Sequence, residues 1–375
     1  MRGRVKILQV LAEDTLGGTE LHVVMVAHRL RQDVAYETSI VTLSPPGLIH
    51  RLASENGTPC SAVAARVWPL GVARMALLLR RERFDIIEAY GAKASTTARL
   101  ANALAGRPSS MIVGVQGVHL TEALDPKAFK ERVARAIERG GHGAVDAYDV
   151  NSLESVDTLA ACGVSASRVR YIPNGVDTDY WTPASTPITD RAAIVVCAAR
   201  LVPRKRQGDL IEAFAASGLA STGARLFLVG DGPERPRIEQ QVRDAGLQEA
   251  VVVCGILPHH ELRELYDRAV MAVLPSSWEG MPASVLEAQA CGLPVIGSDV
   301  NGTRDVIATG STGLLYELGD IGALRDKLLM MMEDRPSATE LGAAARQAVI
   351  RNYSLDALVR SKADLYDDVR AKPGC

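Results

Sequence analysis

Two glutamates eight residues apart, Glu279 and Glu287, flank a helix start in the run Pro275-Ser276-Ser277-Trp278-Glu279-Gly280-Met281-Pro282-Ala283-Ser284-Val285-Leu286-Glu287. Gly280 and Pro282 keep Glu279 on a loop, Pro282 suits the first helical position, and Glu287 then falls about one turn inside the helix. Carboxylates accept paired hydrogen bonds from vicinal hydroxyls, and amides at a helix start bind phosphate oxygens. One acid aimed at a ribose and another at a sugar, with a diphosphate held between them, would make a nucleotide-sugar site. For either glutamate alone, partnership with the helix dipole is the plainer account. Pro282 has no N–H, so the amides left for phosphate are those of Ala283 and Ser284.

A diphosphate also needs cations. Arg200-Leu201-Val202-Pro203-Arg204-Lys205-Arg206 puts four of them in seven residues. A solvated basic loop is the ordinary fate of such a run, but Arg200 follows an apolar segment without a spacer. It is expected to be partly buried and to require an anionic partner. Gly17-Gly18, entering an apolar-periodic stretch, offers backbone amides to a phosphate or makes an ordinary tight turn. Val229-Gly230-Asp231-Gly232 offers small residues of the same kind.

These segments follow short β-branched runs, and the runs alternate with stretches of helical period, which predicts an α/β chain with parallel sheets. Strands are expected near residues 6–11, 38–43, 84–88, 111–115, 145–150 and 168–172. A second series follows at 193–199, 225–229, 250–254, 270–274, 294–298 and 313–316. Two doubly wound domains result, 1–173 and 188–354. The breaker-rich residues 174–187 form the linker between them, and a helix in 355–375 is placed to pack back on the first domain. In open α/β sheets ligands bind beyond the carboxyl ends of the strands, where the glutamates, cations and glycines fall.

Composition narrows the partners. The 375 residues carry 42 basic and 44 acidic groups, a net charge of −2, so the electrostatic footprint of a nucleic-acid binder is absent. The six cysteines stand far apart, which excludes paired zinc or redox motifs and suits a reduced, cytoplasmic setting. No apolar run approaches the ~20 residues that span a bilayer, and the start MRGRVKILQVLAED reads as a first buried strand.

Over nearly its whole length the chain resembles the retaining glycosyltransferases of family 4, the glycogen-synthase-like and mannosyltransferase-like group. Their GT-B fold has two facing Rossmann-like domains with the active site in the interdomain cleft. The resemblance rests on Glu279 and Glu287, on Arg200 and Lys205, on Gly17-Gly18, and on Pro173-Asn174-Gly175-Val176-Asp177 at the interdomain position. It implies that Arg200, Lys205, Glu279 and His119 are catalytic, with His119 beside the donor sugar. It further implies a donor site of Gly17, Gly18, Gly230, Gly255, Ile256, Met281, Ala283, Ser284 and Glu287. Departures are Arg206 and Met281-Pro282, where glycine and an aromatic-glycine pair are frequent, and Asp305 in place of a common glutamate.

The implied reaction is metal-independent, retaining transfer of a sugar from a UDP- or GDP-linked donor to an acceptor sugar or lipid-linked saccharide, with no cofactor. A nucleotide-sugar epimerase and a non-catalytic nucleotide-sugar-binding subunit are the alternatives. Asp177-Thr178-Asp179 and His259-His260 look like metal motifs, but the first lies in the interdomain segment and the second reads as a helix start. Two basic amphipathic stretches, Lys127 to Arg139 and Leu70 to Arg83, suit an anionic membrane surface, predicting a cytoplasmic enzyme peripheral to the membrane.

Overall fold

The computed structural model describes residues 4–14, 18–65, 67–116 and 142–371, and the statements below concern those residues. Two compact units divide the chain: unit 1 takes residues 1–174 together with 358–375, and unit 2 takes 175–357.

Unit 1 is built on seven strands, β1 (Val5–Leu11), β2 (Tyr36–Thr42), β3 (Cys60–Ala62), β4 (Ile86–Tyr90), β5 (Ser110–Val115), β6 (Ala147–Val150) and β7 (Val169–Tyr171). They are all parallel, in the order β3-β2-β1-β4-β5-β6-β7. Runs such as Ile86-Ile87-Glu88-Ala89-Tyr90 are buried along their whole length because helices cover both faces. β3 was not among the expected strands. It is an edge strand of three small residues with two of them exposed, too short and too polar to carry a period.

Unit 2 has six parallel strands, β8 (Ile194–Ala198), β9 (Arg225–Val229), β10 (Val251–Gly255), β11 (Met271–Leu274), β12 (Val295–Ser298) and β13 (Gly313–Tyr316), in the order β10-β9-β8-β11-β12-β13. The chain runs outward from β8 to β10, then returns to the other side of β8. The switch point therefore lies between β8 and β11, the place where open sheets of this kind take their ligands, beyond the carboxyl ends. Both expected α/β domains are thus doubly wound parallel sheets.

Residues 174–187, expected as a linker, are knit into unit 2 from Gly175 onward. The Val176 amide donates to the Tyr353 carbonyl at 2.8 Å, and the Leu355 amide donates to Val176 at 2.9 Å. Trp181 is buried against Tyr266 with ring centroids 5.9 Å apart, and the Arg346 guanidinium donates to the carbonyls of Trp181 and Ala290. Asp177 caps its own turn, accepting from the amides of Asp179 and Tyr180 at 3.0 Å each. The helix Leu355–Ala371 belongs to unit 1 from Leu358 onward, burying Leu358, Lys362, Leu365, Tyr366 and Val369 on one face. Among the described residues no helix is long and apolar enough to cross a membrane.

Candidate active site

The turn after β8 begins with Ala199 and Arg200. Leu201 takes the inward position, fully buried, so Arg200 projects outward and is exposed. This corrects the expectation of a partly buried arginine: the side chains alternate about the turn, and the core is filled by Leu201. Among the described residues the Arg200 guanidinium has no ion pair. The short turn Pro203–Lys205 follows, with Lys205 buried at 9% exposure. Arg206 then adopts φ +49°, ψ +36°, a left-handed conformation that glycine enters without strain. Its guanidinium pairs with Asp209, Nε to Oδ2 2.7 Å.

Gly230 and Gly232 press this turn from the β9 side. A Cβ on Gly230, at φ +132°, would stand 2.1 Å from the Ala199 carbonyl oxygen, and one on Gly232 would stand 2.3 Å from that of Leu201. Glycine is required at both positions by a neighbouring backbone. Gly255, at φ +74°, ends β10, and the next residue, Ile256, is 79% exposed. At Gly18, the first residue of the helix Gly18–Arg31, a Cβ would meet nothing within 4 Å. Among the described residues no packing demands a glycine there.

The loop after β11 is tied to the β8 turn. The Ser277 amide and hydroxyl donate to the Arg204 carbonyl at 2.7 and 3.1 Å, and the Arg204 guanidinium lies 5.5 Å from the Trp278 ring centroid. From the other side Gly302, at φ +76°, backs onto Glu279 and Gly280. A Cβ there would stand 2.4 and 2.3 Å from their carbonyl oxygens. Glu279 is thereby held 95% buried, and it forms an ion pair with Lys205. The fully buried thiol of Cys197 on β8 lies close enough to feel both charges. Burial pushes it up to about 12, with Lys205 opposing and Glu279 reinforcing the shift.

The helix Ala283–Ala290 follows. Pro282 is its N-cap residue, one position before the one expected, because its ψ of +107° keeps it extended. The Val285 and Leu286 amides donate back to the Pro282 carbonyl at 3.1 and 3.3 Å, which leaves Ala283 and Ser284 as the helix-start amides facing outward. Met281, expected at the donor site, has its side chain in the core at 6% exposure, so only its main chain can meet a ligand. Glu287 is half-buried, and removal from water pushes its carboxyl up to about 7.

Unit 2 therefore collects Arg200, Lys205, Gly230, Gly255, Ile256 and Glu279 at the carboxyl ends of β8 to β11, with Ala283, Ser284 and Glu287 on the helix that follows. Gly17 and His119, and the stretch Lys127 to Arg139, lie outside the described residues. Sequence reasoning missed two things: the pairing of Lys205 with Glu279, and the support from Arg204, Trp278 and Gly302. The adjacency of Trp278 to Glu279 and of Arg204 to Lys205 was the available signal. Among the described residues no cluster of three or more His, Cys, Asp or Glu side chains is placed to hold a metal ion. His259 starts a helix and packs on Trp181, ring centroids 5.6 Å apart.

Two family models match the chain: one described as Glycosyltransferase Family 4 over residues 16–180, and one described as Glycosyl transferases group 1 over residues 182–348. The alpha-maltose-1-phosphate synthase of Mycolicibacterium smegmatis is 28% identical over 305 residues, spanning 72% of this chain and 77% of its own. A GDP-mannose-dependent alpha-(1-6)-phosphatidylinositol monomannoside mannosyltransferase of Mycobacterium tuberculosis is 29% identical over 247 residues, 62% of this chain and 64% of its own. Among solved structures, HepE of Anabaena in complex with UDP and glucose matches with a TM-score of 0.84 at 20% identity, covering 97% of this chain and 100% of that one.

Proposed function

The chain belongs to the family 4 glycosyltransferases of GT-B fold, and from that premise we propose that it moves a sugar from a nucleoside diphosphate to an acceptor hydroxyl with retention of configuration and without a metal ion. The observation that carries this reading is the gathering of Arg200, Lys205, Glu279 and the helix start at Ala283 around the switch point of unit 2. The demanding event is departure of a doubly charged diphosphate while the sugar gains positive charge. Fixed cations aimed at that leaving group stabilise the transition state electrostatically.

Arg200, exposed and without an ion-pair partner among the described residues, supplies one such cation, and Lys205 supplies the second. Lys205 is already paired with Glu279, so donor entry redistributes an existing pair: the ammonium turns toward phosphate and the carboxylate accepts from sugar hydroxyls. The amides of Ala283 and Ser284 add neutral donors at the same phosphate. Glu287, held up at about 7, ionises as ribose hydroxyls donate to it. With two cations and a helix start in place, transfer should persist in excess chelator, and an absolute demand for magnesium or manganese would overturn the metal-free mechanism.

The relatives' names direct the acceptor toward a saccharide or a lipid-linked saccharide in glycolipid or polysaccharide assembly. The helix Trp68–Glu82 of unit 1 supports a membrane-facing enzyme, for it exposes Trp68, Leu70 and Leu77 beside Arg74, Arg80 and Arg81. A screen of UDP-, GDP- and ADP-linked sugars, reading released nucleotide with and without saccharide acceptors and the anomeric configuration of the product, tests the reaction. An inverted product, or nucleotide sugar rearranged without an acceptor, would replace it. Flotation with anionic vesicles tests the surface: no salt-sensitive binding would leave a soluble acceptor as the better choice, and binding that does not weaken when Arg74, Arg80 and Arg81 become Glu would move the contact off this helix.

A further inference from the structure

Unit 1 contains a second lysine–carboxylate cluster, which the transfer reaction does not use. Lys362, on the helix Leu355–Ala371, is fully buried and pairs with Glu88 on β4 and Asp149 on β6, both also fully buried. Its third donor reaches the Tyr90 hydroxyl at 3.1 Å. One turn further along the same helix the Tyr366 hydroxyl donates to the other Glu88 oxygen at 2.6 Å. Gly114 makes the chamber, lying in register between Tyr90 and Asp149; a Cβ there would stand 2.4 Å from the Tyr90 ring. Among the described residues no other cation reaches the two carboxylates. His22 is held neutral, pushed down to about 3 by burial and by Lys362, and Gln9 is a buried amide with neither of its polar atoms partnered.

Sealing three charges away from water costs several kcal/mol per ion, and such groups contribute less stability than apolar packing of the same volume. Their use is to make one arrangement far better than its neighbours. Leu358, Leu365, Tyr366 and Val369 alone would let the helix slide by a turn with modest loss. Sliding with Glu88 and Asp149 beneath would set an apolar side chain against two buried carboxylates. Glu88 and Asp149 also precede Lys362 by 274 and 213 residues, with the whole of unit 2 between them.

We propose that Lys362 is the pin that fixes the register of the helix Leu355–Ala371 on the sheet of unit 1, so that unit 1 completes its fold only after unit 2 has been made, whereas unit 2 is stable without the pin. Amide hydrogen exchange on the full chain reads the two units separately. Lys362→Ala should lower protection in β4, β5 and β6 by roughly 10²- to 10³-fold, the scale for orphaning a buried charge, and leave β8, β9 and β11 unchanged. Neutralising the whole cluster, with Lys362→Met, Glu88→Gln and Asp149→Asn together, leaves no charge orphaned but removes the pin: β4, β5 and β6 should recover to within about tenfold of the parent, while the helix Leu355–Ala371 stays at least about tenfold less protected than in the parent. Equal loss in both units, no loss in unit 1 with Lys362→Ala, or a helix as protected in the triple variant as in the parent would overturn the proposal. Should Lys362→Ala yield no soluble chain, the triple variant decides alone: a helix less protected than the parent's, with β8, β9 and β11 unchanged, upholds the pin, and an insoluble chain or a helix as protected as the parent's refutes it.

Discussion

Each unit holds a buried lysine bound to carboxylate, and the two clusters do opposite things. Around Lys362 every ammonium hydrogen has a protein acceptor, Glu88, Asp149 or Tyr90, and the side chains of the three charged groups are wholly removed from solvent. Around Lys205 there is one carboxylate, a side chain still 11% exposed, an outward arginine close by in sequence and, on the following helix, a glutamate kept near neutrality by its surroundings. Depth of burial therefore does not mark a site. Unsatisfied charge next to an opening does, because only there can a ligand complete what the protein leaves incomplete.

The sharpest way to break that contrast is to remove a cation on the open side. Arg200→Ala or Lys205→Ala should cut turnover by roughly 10² to 10³; hydrogen exchange in β8 to β11 should stay near the parent level in Arg200→Ala, and in Lys205→Ala, which leaves Glu279 unpaired beside its opening, should fall by less than unit 1 loses in Lys362→Ala. Near-normal turnover in both would move the diphosphate elsewhere, and loss of protection to the degree expected of Lys362→Ala would make the two clusters alike.

Next comes Glu287→Gln, which removes a charged acceptor for hydroxyls and should raise KM for the donor about 10- to 100-fold with a smaller effect on kcat. In the parent, KM should climb as pH falls below about 7 and Glu287 takes up its proton, and the variant's KM should not follow. The stability effect has the opposite sense. The folded chain holds this proton up to about 7, whereas an unfolded glutamate releases it near 4.5, so stability contributed here falls as pH rises between those values. Glu287→Gln should therefore melt higher than the parent at pH 8 and match it near pH 4. The same melting temperature difference at both pH values would show that the carboxyl is well solvated.

On the closed side the triple neutral variant at Lys362, Glu88 and Asp149 should leave KM for the donor within about twofold, since none of the three lies in unit 2. A larger change would tie the closed cluster to donor binding. The smallest expected effect is at Arg206. Replacing it with glycine relieves a left-handed backbone worth about 1 kcal/mol and loses the pair with Asp209. Melting temperature should rise by about 2 °C. A fall would give the Asp209 pair the larger share.

Much of the molecule is legible as sequence because apolar runs flanked by helical period leave few alternatives. The strand at Arg225–Val229 and that at Gly313–Tyr316 fall where the pattern puts them. The edge strand at Cys60–Ala62 is silent for want of length. Arg200 misleads because adjacency to a strand says nothing about which way a side chain turns once the strand has ended. The pairing of Lys205 with Glu279 joins segments 74 residues apart and depends on two loops meeting at the switch point, which no local pattern encodes. The closed cluster did leave a trace. Glu88 within Ile86-Ile87-Glu88-Ala89-Tyr90 and Asp149 within Ala147-Tyr148-Asp149-Val150 are acids in the middle of strands buried on both faces, and such acids demand a partner from elsewhere in the chain.

The bridge between Val176 and Ser354 has a practical consequence. The peptide enters unit 2 just before the first of these residues and leaves it just after the second, so unit 2 is a cassette spliced into unit 1 through two adjacent seams. Exchanging the cassette for that of a relative takes two joins, the first before Gly175 and the second within the first turn of the helix Leu355–Ala371, and neither cuts a strand of either sheet. Whatever unit 2 contributes can then be moved as one contiguous stretch of gene, provided the helix carried past the second join still brings its lysine.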